Sequence, residues 1–215
     1  MATHCVVRYI QDAFPDRKWL ILGKGPTLDN LPDLLDHGRA VMSLNHACWV
    51  IRPDIAHFTD WEAYCDCYTP VSIFRDTALC MPWHPHVNCR PSRQPLDQFD
   101  PALDGLSTSP LNLPLWPFAR RGRLLSYNST VASKLTRNPR LKTIRVRYFS
   151  AVAAFNILAA AGVKDIVTLG VNGGTEYARG MNTKDCLANG RDSFDIQFQE
   201  IRTTVRKHKM NWSQQ

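Results

Sequence analysis

The sequence predicts an α/β protein built as one Rossmann-like domain over residues 1–215, with a mostly parallel sheet and an irregular proline-rich insertion over residues 82–118. Three observations carry this reading. At 215 residues the chain is long enough for one full hydrophobic core, and a second would be cramped. Short apolar runs of strand length alternate with stretches of helical periodicity, which implies right-handed crossovers between parallel strands. The first of these runs stops abruptly in a Gly-x-Gly-Pro-Thr bend, whose glycines let backbone N–H groups approach a ligand closely.

Residues 19–22 (Trp-Leu-Ile-Leu) form the first predicted strand, and the bend over residues 23–27 follows it. Leu28, Leu31, Leu34 and Leu35 give a helical stripe that His37 and Gly38 close. Residues 40–44 make the second strand, ending at Asn45, and residues 55–58 the third, ending in Thr59 and Asp60. A helix from Trp61 to about Cys67 comes next, and residues 71–74 (Val-Ser-Ile-Phe) read as a fourth strand. From Pro82 to Pro117 the chain carries eight prolines and few periodic apolar positions. Loops of that length are usually functional, and Trp83, Trp116 and Phe118 give this one the character of a lid. Residues 123–127 and 143–146 resume the strand pattern. Residues 150–161 form a small-residue helix with Ser150 as its N-cap and Gly162 as its stop. Residues 165–170 are the buried strand after it. Asp192 to His208 reads as the last helix, with Phe194, Phe198 and Ile201 or Val205 facing inward.

Bulk properties narrow the class. Apolar content of 44% and charged content of 21% describe a folded globule, not a disordered chain. No run approaches the roughly 18 apolar residues of a membrane-spanning helix, and residues 1–8 lack the layout of a signal peptide, so the cytoplasm is the expected compartment. Seven cysteines, an odd number with no CxxC spacing, argue against a disulfide framework and a zinc ribbon. Cys80, His84, His86 and Cys89 hold enough ligand atoms for zinc, but their spacing fits no common finger and no metal site is assigned. The net charge is +7, and residues 119–147 carry nine basic side chains and no acidic one. Such a tract attracts polyanions, nucleic acid being the obvious one, with Arg120, Arg121, Arg123, Arg145 and Arg147 as candidate contacts.

The residues expected at the carboxyl ends of the strands are Gly23 to Thr27, Asn45, Asp60, Ser150 and Gly170 to Gly174. In an open parallel sheet these converge on one crevice. They combine a phosphate-cradling backbone, an amide, a carboxylate and a helix N-terminus, which points to a nucleotide or nucleotide sugar.

Taken together, these segments resemble one superfamily. The pattern is a strand followed by Gly-x-Gly-Pro-Ser/Thr-Leu, an Asn ending the second strand, and Ser-small-x-x-Ala before a strand ending in Gly-hydrophobic-Asp/Asn. It is similar to that of the bacterial lipooligosaccharide sialyltransferases, the pterin pyrophosphokinase-like domains of archaea and related glycosyltransferases of bacteria and phages. The likeness covers residues 19–60 and 149–174 and leaves out the proline-rich middle. It implies a GT-A-like arrangement in which Gly23, Lys24, Gly25, Pro26 and Thr27 line the donor phosphates and ribose. It also implies that Asn45 contacts the nucleotide, while Ser150, Gly170, Asn172 and Gly173 complete the pocket. Lys24 replaces the family's Asn and suits a diphosphate, Asn172 replaces its Asp, and the only histidine beyond Gly174 is His208.

Transfer of a sugar to a hydroxyl needs a group that takes the proton. Asp60 is the first candidate, with metal binding and helix capping as its other roles; Glu176, Asp185 and Asp192 are further carboxylates, and Tyr177 and Arg179 lie close in sequence. The expected activity is nucleotide-sugar-dependent glycosyl transfer, with a divalent ion (Mg or Mn) as an optional helper and a hydroxymethylated pyrimidine in phage DNA as an acceptor. Diphosphate transfer from ATP to a small alcohol and a non-catalytic nucleotide-binding module are the alternatives.

Overall fold

The computed structural model describes residues 1–34, 38–73, 75–100, 115–146, 149–181 and 193–215. In chain order the strands are β1 (His4–Cys5), β2 (Trp19–Leu22), β3 (Ala40–Leu44), β4 (Ile55–His57), β5 (Ala78–Pro82), β6 (His86–Val87), β7 (Arg90–Pro91), β8 (Leu124–Ser129), β9 (Thr143–Ile144), β10 (Asp165–Leu169) and β11 (Asn211–Gln214). The α-helices are α1 (Val6–Ala13), α2 (Trp61–Ile73), α3 (Trp116–Arg120), α4 (Ser150–Ala160) and α5 (Ile196–His208). Three-residue-per-turn helices cover Pro26–Leu34, Asn45–Trp49 and Thr130–Ala132.

Nine strands form one parallel sheet in the order β1-β8-β5-β4-β3-β2-β10-β11, with β9 beside the end of β8. The predicted α/β class with a mostly parallel sheet is therefore what the chain adopts. Alternation along each strand divides the core. Trp19 and Ile21 face α1, α4 and α5, while Leu20 and Leu22 face Leu28 and Leu31 on the other side. Helix α4 is buried almost all round, which its alanines permit by letting it lie close to the sheet. A second apolar layer, built on Phe58, Trp61, Tyr64, Trp83 and Phe118, covers the β4–β5–β8 part of the sheet.

Several element expectations need correction. Residues 71–73 continue α2, Phe74 lies outside the described residues, and the fourth strand is β5; so short a run, apolar at three of its four positions, has no periodicity that separates a helix end from a strand. The leucine stripe after the bend winds as a 3₁₀-helix, whose i, i+3 spacing buries Leu28 and Leu31 together. The last helix starts at Ile196; Phe194 precedes it, and Asp192 lies outside the described residues. In the insertion, Trp83 and Phe118 are fully packed core residues and only Trp116 is exposed, so the described part is no aromatic lid. It contains instead an antiparallel hairpin, β6–β7. Its two turn residues, Asn88 and Cys89, both have positive φ (48° and 62°), as a two-residue hairpin turn with the sheet's own twist demands.

β2 and β10 are neighbours, but the chain leaves β2 toward β3 and leaves β10 toward β11, on opposite sides. This is a switch point in strand order, where an open parallel sheet gapes at its carboxyl edge.

Candidate functional site

A cavity of about 370 Å³ opens at that switch point. Of the residues singled out in the sequence, Gly23, Lys24, Gly25, Asn45, Asp60, Ser150, Gly170, Asn172 and Glu176 border it. Gly23 and Glu176, 153 positions apart (176 − 23), therefore meet at one place.

The bend itself is a backbone weld. Gly23 N donates to Leu169 O (2.8 Å) and Gly25 N to Gly170 O (2.7 Å), so the β2 loop runs directly against the β10 loop. A side chain at Gly23 or Gly25 would overlap the Gly170 carbonyl, and one at Gly170 would overlap Gly23. The glycines thus serve chain contact as well as bordering the cavity. Thr27 turns away from the cavity and latches the loops: its N and Oγ1 donate to Asn172 Oδ1 (3.3 and 3.0 Å), and its Oγ1 accepts from Gly170 N (2.9 Å). Pro26 opens the 3₁₀-helix, and neither it, Thr27 nor Gly173 borders the cavity. Gly173 instead leaves room for Asp195, whose carboxylate accepts from Gly174 N (3.2 Å). The Asn172 side chain is occupied by Thr27, and its carbonyl accepts from Gln197 Nε2 (2.9 Å).

Ser150 is the first residue of α4, not its cap; Phe149 holds the cap position with no side-chain bond. Its hydroxyl is thereby free to meet the strand ends. Thr59 Oγ1 lies 3.0 Å away, and Asn45 Nδ2 donates to it at 3.5 Å. Asn45 has φ +50°, a left-handed conformation that asparagine tolerates better than most residues, and its Oδ1 is buried without a partner among the described residues. Behind this trio, fully buried His57 Nε2 and Tyr127 Oη share a hydrogen bond of 3.0 Å, and Tyr127 bonds Thr59 in turn. Burial pushes the His57 imidazole down to about 4 and raises the Tyr127 phenol far above its ordinary range.

The opposite wall is aromatic. Phe149, Tyr177 and Phe194 border the cavity, with Phe194 packed edge-on against both others. Lys24 Nζ sits 4.8 Å from the centre of the Tyr177 ring, and the Lys24 carbonyl accepts from Ala178 N (2.8 Å). Burial, and then the Lys24 charge, push the nearby His46 imidazole below its ordinary value.

Sequence reasoning missed His86 as a member of this site. It reaches the cavity on the β6–β7 hairpin: His86 N donates to Thr59 O (2.9 Å), and its Nδ1 lies 3.6 Å from Asp60 Oδ1. The pair is 26 positions apart, and only the hairpin's folding back onto the end of β4 joins them. His84, considered beside it as a zinc ligand, is buried, with both ring nitrogens against the backbone carbonyls of Ser92 (2.9 Å) and Thr136 (2.7 Å). Among the described residues no three His, Cys, Asp or Glu side chains gather in metal-binding range. A divalent ion at Asp60 or Glu176 would take most of its ligands from substrate phosphate and water.

None of the described basic side chains of the tract borders the cavity. Arg120, Arg121 and Arg123 precede β8, at the amino end of the sheet, whereas the cavity lies at the carboxyl end. Each is engaged within the chain: Arg120 over the Trp116 ring, Arg121 on Pro117 O (2.8 Å), and Arg123 on Tyr9 Oη (3.1 Å) and the Asp76 carbonyl. Arg145 pairs with Glu200 on α5 (3.0 Å), and Arg147 lies outside the described residues, as do Asp185 and Asp192. No helix among the described residues is long and apolar enough to cross a membrane.

No family model, no curated protein and no solved structure matches the chain. The chemistry of the site has to be read from its own geometry.

Proposed function

We propose that the chain is a glycosyltransferase that moves a sugar from a nucleotide-sugar donor to a hydroxyl acceptor. The observation that carries this reading is one cavity, at the switch point of a parallel sheet, bordered by a lysine, a helix N-terminus, an amide–hydroxyl set and two carboxylates. Lys24 and the amino end of α4 favour the donor's phosphates. Phe149, Tyr177 and Phe194 offer flat apolar faces to a base, while Asn45 and Ser150 offer polar groups to the base or ribose. Leaving-group charge that develops as the glycosidic bond to phosphate breaks is stabilised by Lys24. The Asp60 corner takes the acceptor's proton.

The acceptor class is an alcohol. A hydroxymethylated pyrimidine in DNA is the polyanionic case, supported by the net charge of +7 rather than by a basic groove at the cavity mouth.

A thermal-shift panel of nucleotide sugars and nucleoside triphosphates, with and without Mg or Mn, tests the reading. It is followed by an assay for nucleoside diphosphate release onto small alcohols and hydroxymethylated DNA. Stabilisation by a nucleotide sugar with acceptor-dependent release is the expected result. Stabilisation by ATP and Mg alone would turn the reading to diphosphate transfer, and no stabilisation by any nucleotide would overturn it.

A further inference from the structure

We infer that His86, not Asp60, is the group that accepts the acceptor's proton, and that Asp60 is its positioning residue; this rests on the transferase reading above. Two observations point the same way. His86 Nδ1 faces Asp60 Oδ1 at 3.6 Å. A carboxylate only accepts, so once this pair closes to hydrogen-bond distance Nδ1 carries the ring hydrogen and Nε2 is left with its lone pair. Nε2 is in turn buried with no partner among the described residues, on a side chain that borders the cavity. A buried polar atom without a partner is costly, and a small shift of the imidazole toward the cavity, which brings Nε2 to a ligand hydroxyl, removes that cost.

The hairpin holds this arrangement firmly. His86 N is bonded to Thr59 O beside Asp60, and Asn88 N in the turn donates to Glu62 Oε1 (2.8 Å), on the first turn of α2. The 3.6 Å separation is longer than a hydrogen bond, and catalytic contacts of this kind shorten when substrate binds. The pattern of a nucleophile's base oriented by a third group is recognised by geometry and role, and it needs no sequence motif.

The step balances as follows. The acceptor oxygen attacks the anomeric carbon as its O–H proton passes to His86 Nε2. A new C–O bond forms, the C–O bond to the donor phosphate breaks, and its electron pair leaves on the nucleoside diphosphate beside Lys24. The imidazolium, steadied by Asp60, then gives its proton to water or to the departing phosphate.

Wild type, His86→Ala, His86→Gln and Asp60→Asn are compared for donor binding by thermal shift and for turnover with a nucleotide sugar. His86→Ala should keep donor binding and lose roughly 100- to 10,000-fold in kcat, with turnover partly restored by added imidazole. His86→Gln, which keeps the size and polarity of the side chain, should be equally slow. Asp60→Asn should lower kcat and leave the KM for donor unchanged. Turnover that survives in both His86 variants overturns the assignment alone, and so does a loss in His86→Ala that imidazole does not restore. Absence of donor binding by the wild type overturns the reading of the cavity itself, and the assignment with it.

Discussion

Gly23 and Gly170 lie face to face across the boundary between β2 and β10, each occupying the space where the other's side chain would be. The overlap is with backbone, which has no rotamer to escape into. Gly23→Ala should therefore destabilise the protein by about 3 kcal/mol, a Tm lower by roughly 6–12 °C for a chain of this size. Gly174, unlike Gly23, has positive φ (69°) but opens onto free space, so Gly174→Ala should cost only about 1 kcal/mol. Thermal melts of the two variants check the difference; equal losses would mean that the β10 loop yields to the added methyl, and that the contact does not demand the glycine at position 23.

Among the described residues, Lys24 is the one lysine on the cavity wall. Removing a charged contact to phosphate costs about 1.5–3 kcal/mol, so Lys24→Ala should weaken nucleotide binding roughly 10- to 100-fold. Its Tm without ligand should change little, because the side chain packs as a cation over the Tyr177 ring, a weak contact at a partly open site. Titration with a nucleoside diphosphate measures both.

His57 makes stability depend on pH. Its imidazole is fully buried and falls to about 4 in the fold from an ordinary 6.5. Between those values the unfolded chain binds the proton and the folded chain does not. Stability is thus complete above pH 6.5 and is lost as pH falls toward 4, by about 3 kcal/mol in all. His46, also lowered, acts in the same direction. Urea unfolding from pH 7 to 4 should show this decline, and His57→Gln should flatten it.

Helix α5 ends on Lys209 in the left-handed conformation (φ 50°, ψ 53°). Glycine has no steric penalty there. Lys209→Gly should raise stability by roughly 0.5–1 kcal/mol, visible as a higher Tm with the cavity unaffected.

Much of this was legible in the sequence, and the boundary is physical. Strand β2, its glycine bend, Asn45 and Ser150 are marked by local chemistry: apolar runs that stop at small or polar residues. The parallel direction of the strands follows from the alternation of elements. What sequence could not supply were contacts made across the fold. Thr27 reads like a ligand-binding residue until its hydroxyl is seen bonded to Gly170 N and Asn172. Ser150 reads like a cap until its partners prove to be Thr59 and Asn45. His86 carries no local signal at all, since a two-residue turn without glycine or a flanking apolar alternation hides the hairpin that delivers it to Asp60. The basic tract is continuous in sequence, yet β8 carries the chain across the sheet and so separates Arg120–Arg123 from Arg145 in space.

Amide hydrogen exchange, with and without a saturating nucleotide sugar, reports directly on where a nucleotide rests. Slower exchange should appear together at residues 23–25, 45, 150–151 and 170–172, the segments that border the cavity from both sides of the switch point. Protection confined to other parts of the chain, such as the amino-terminal residues 1–13, or no protection anywhere, would contradict a nucleotide site at the β2–β10 junction.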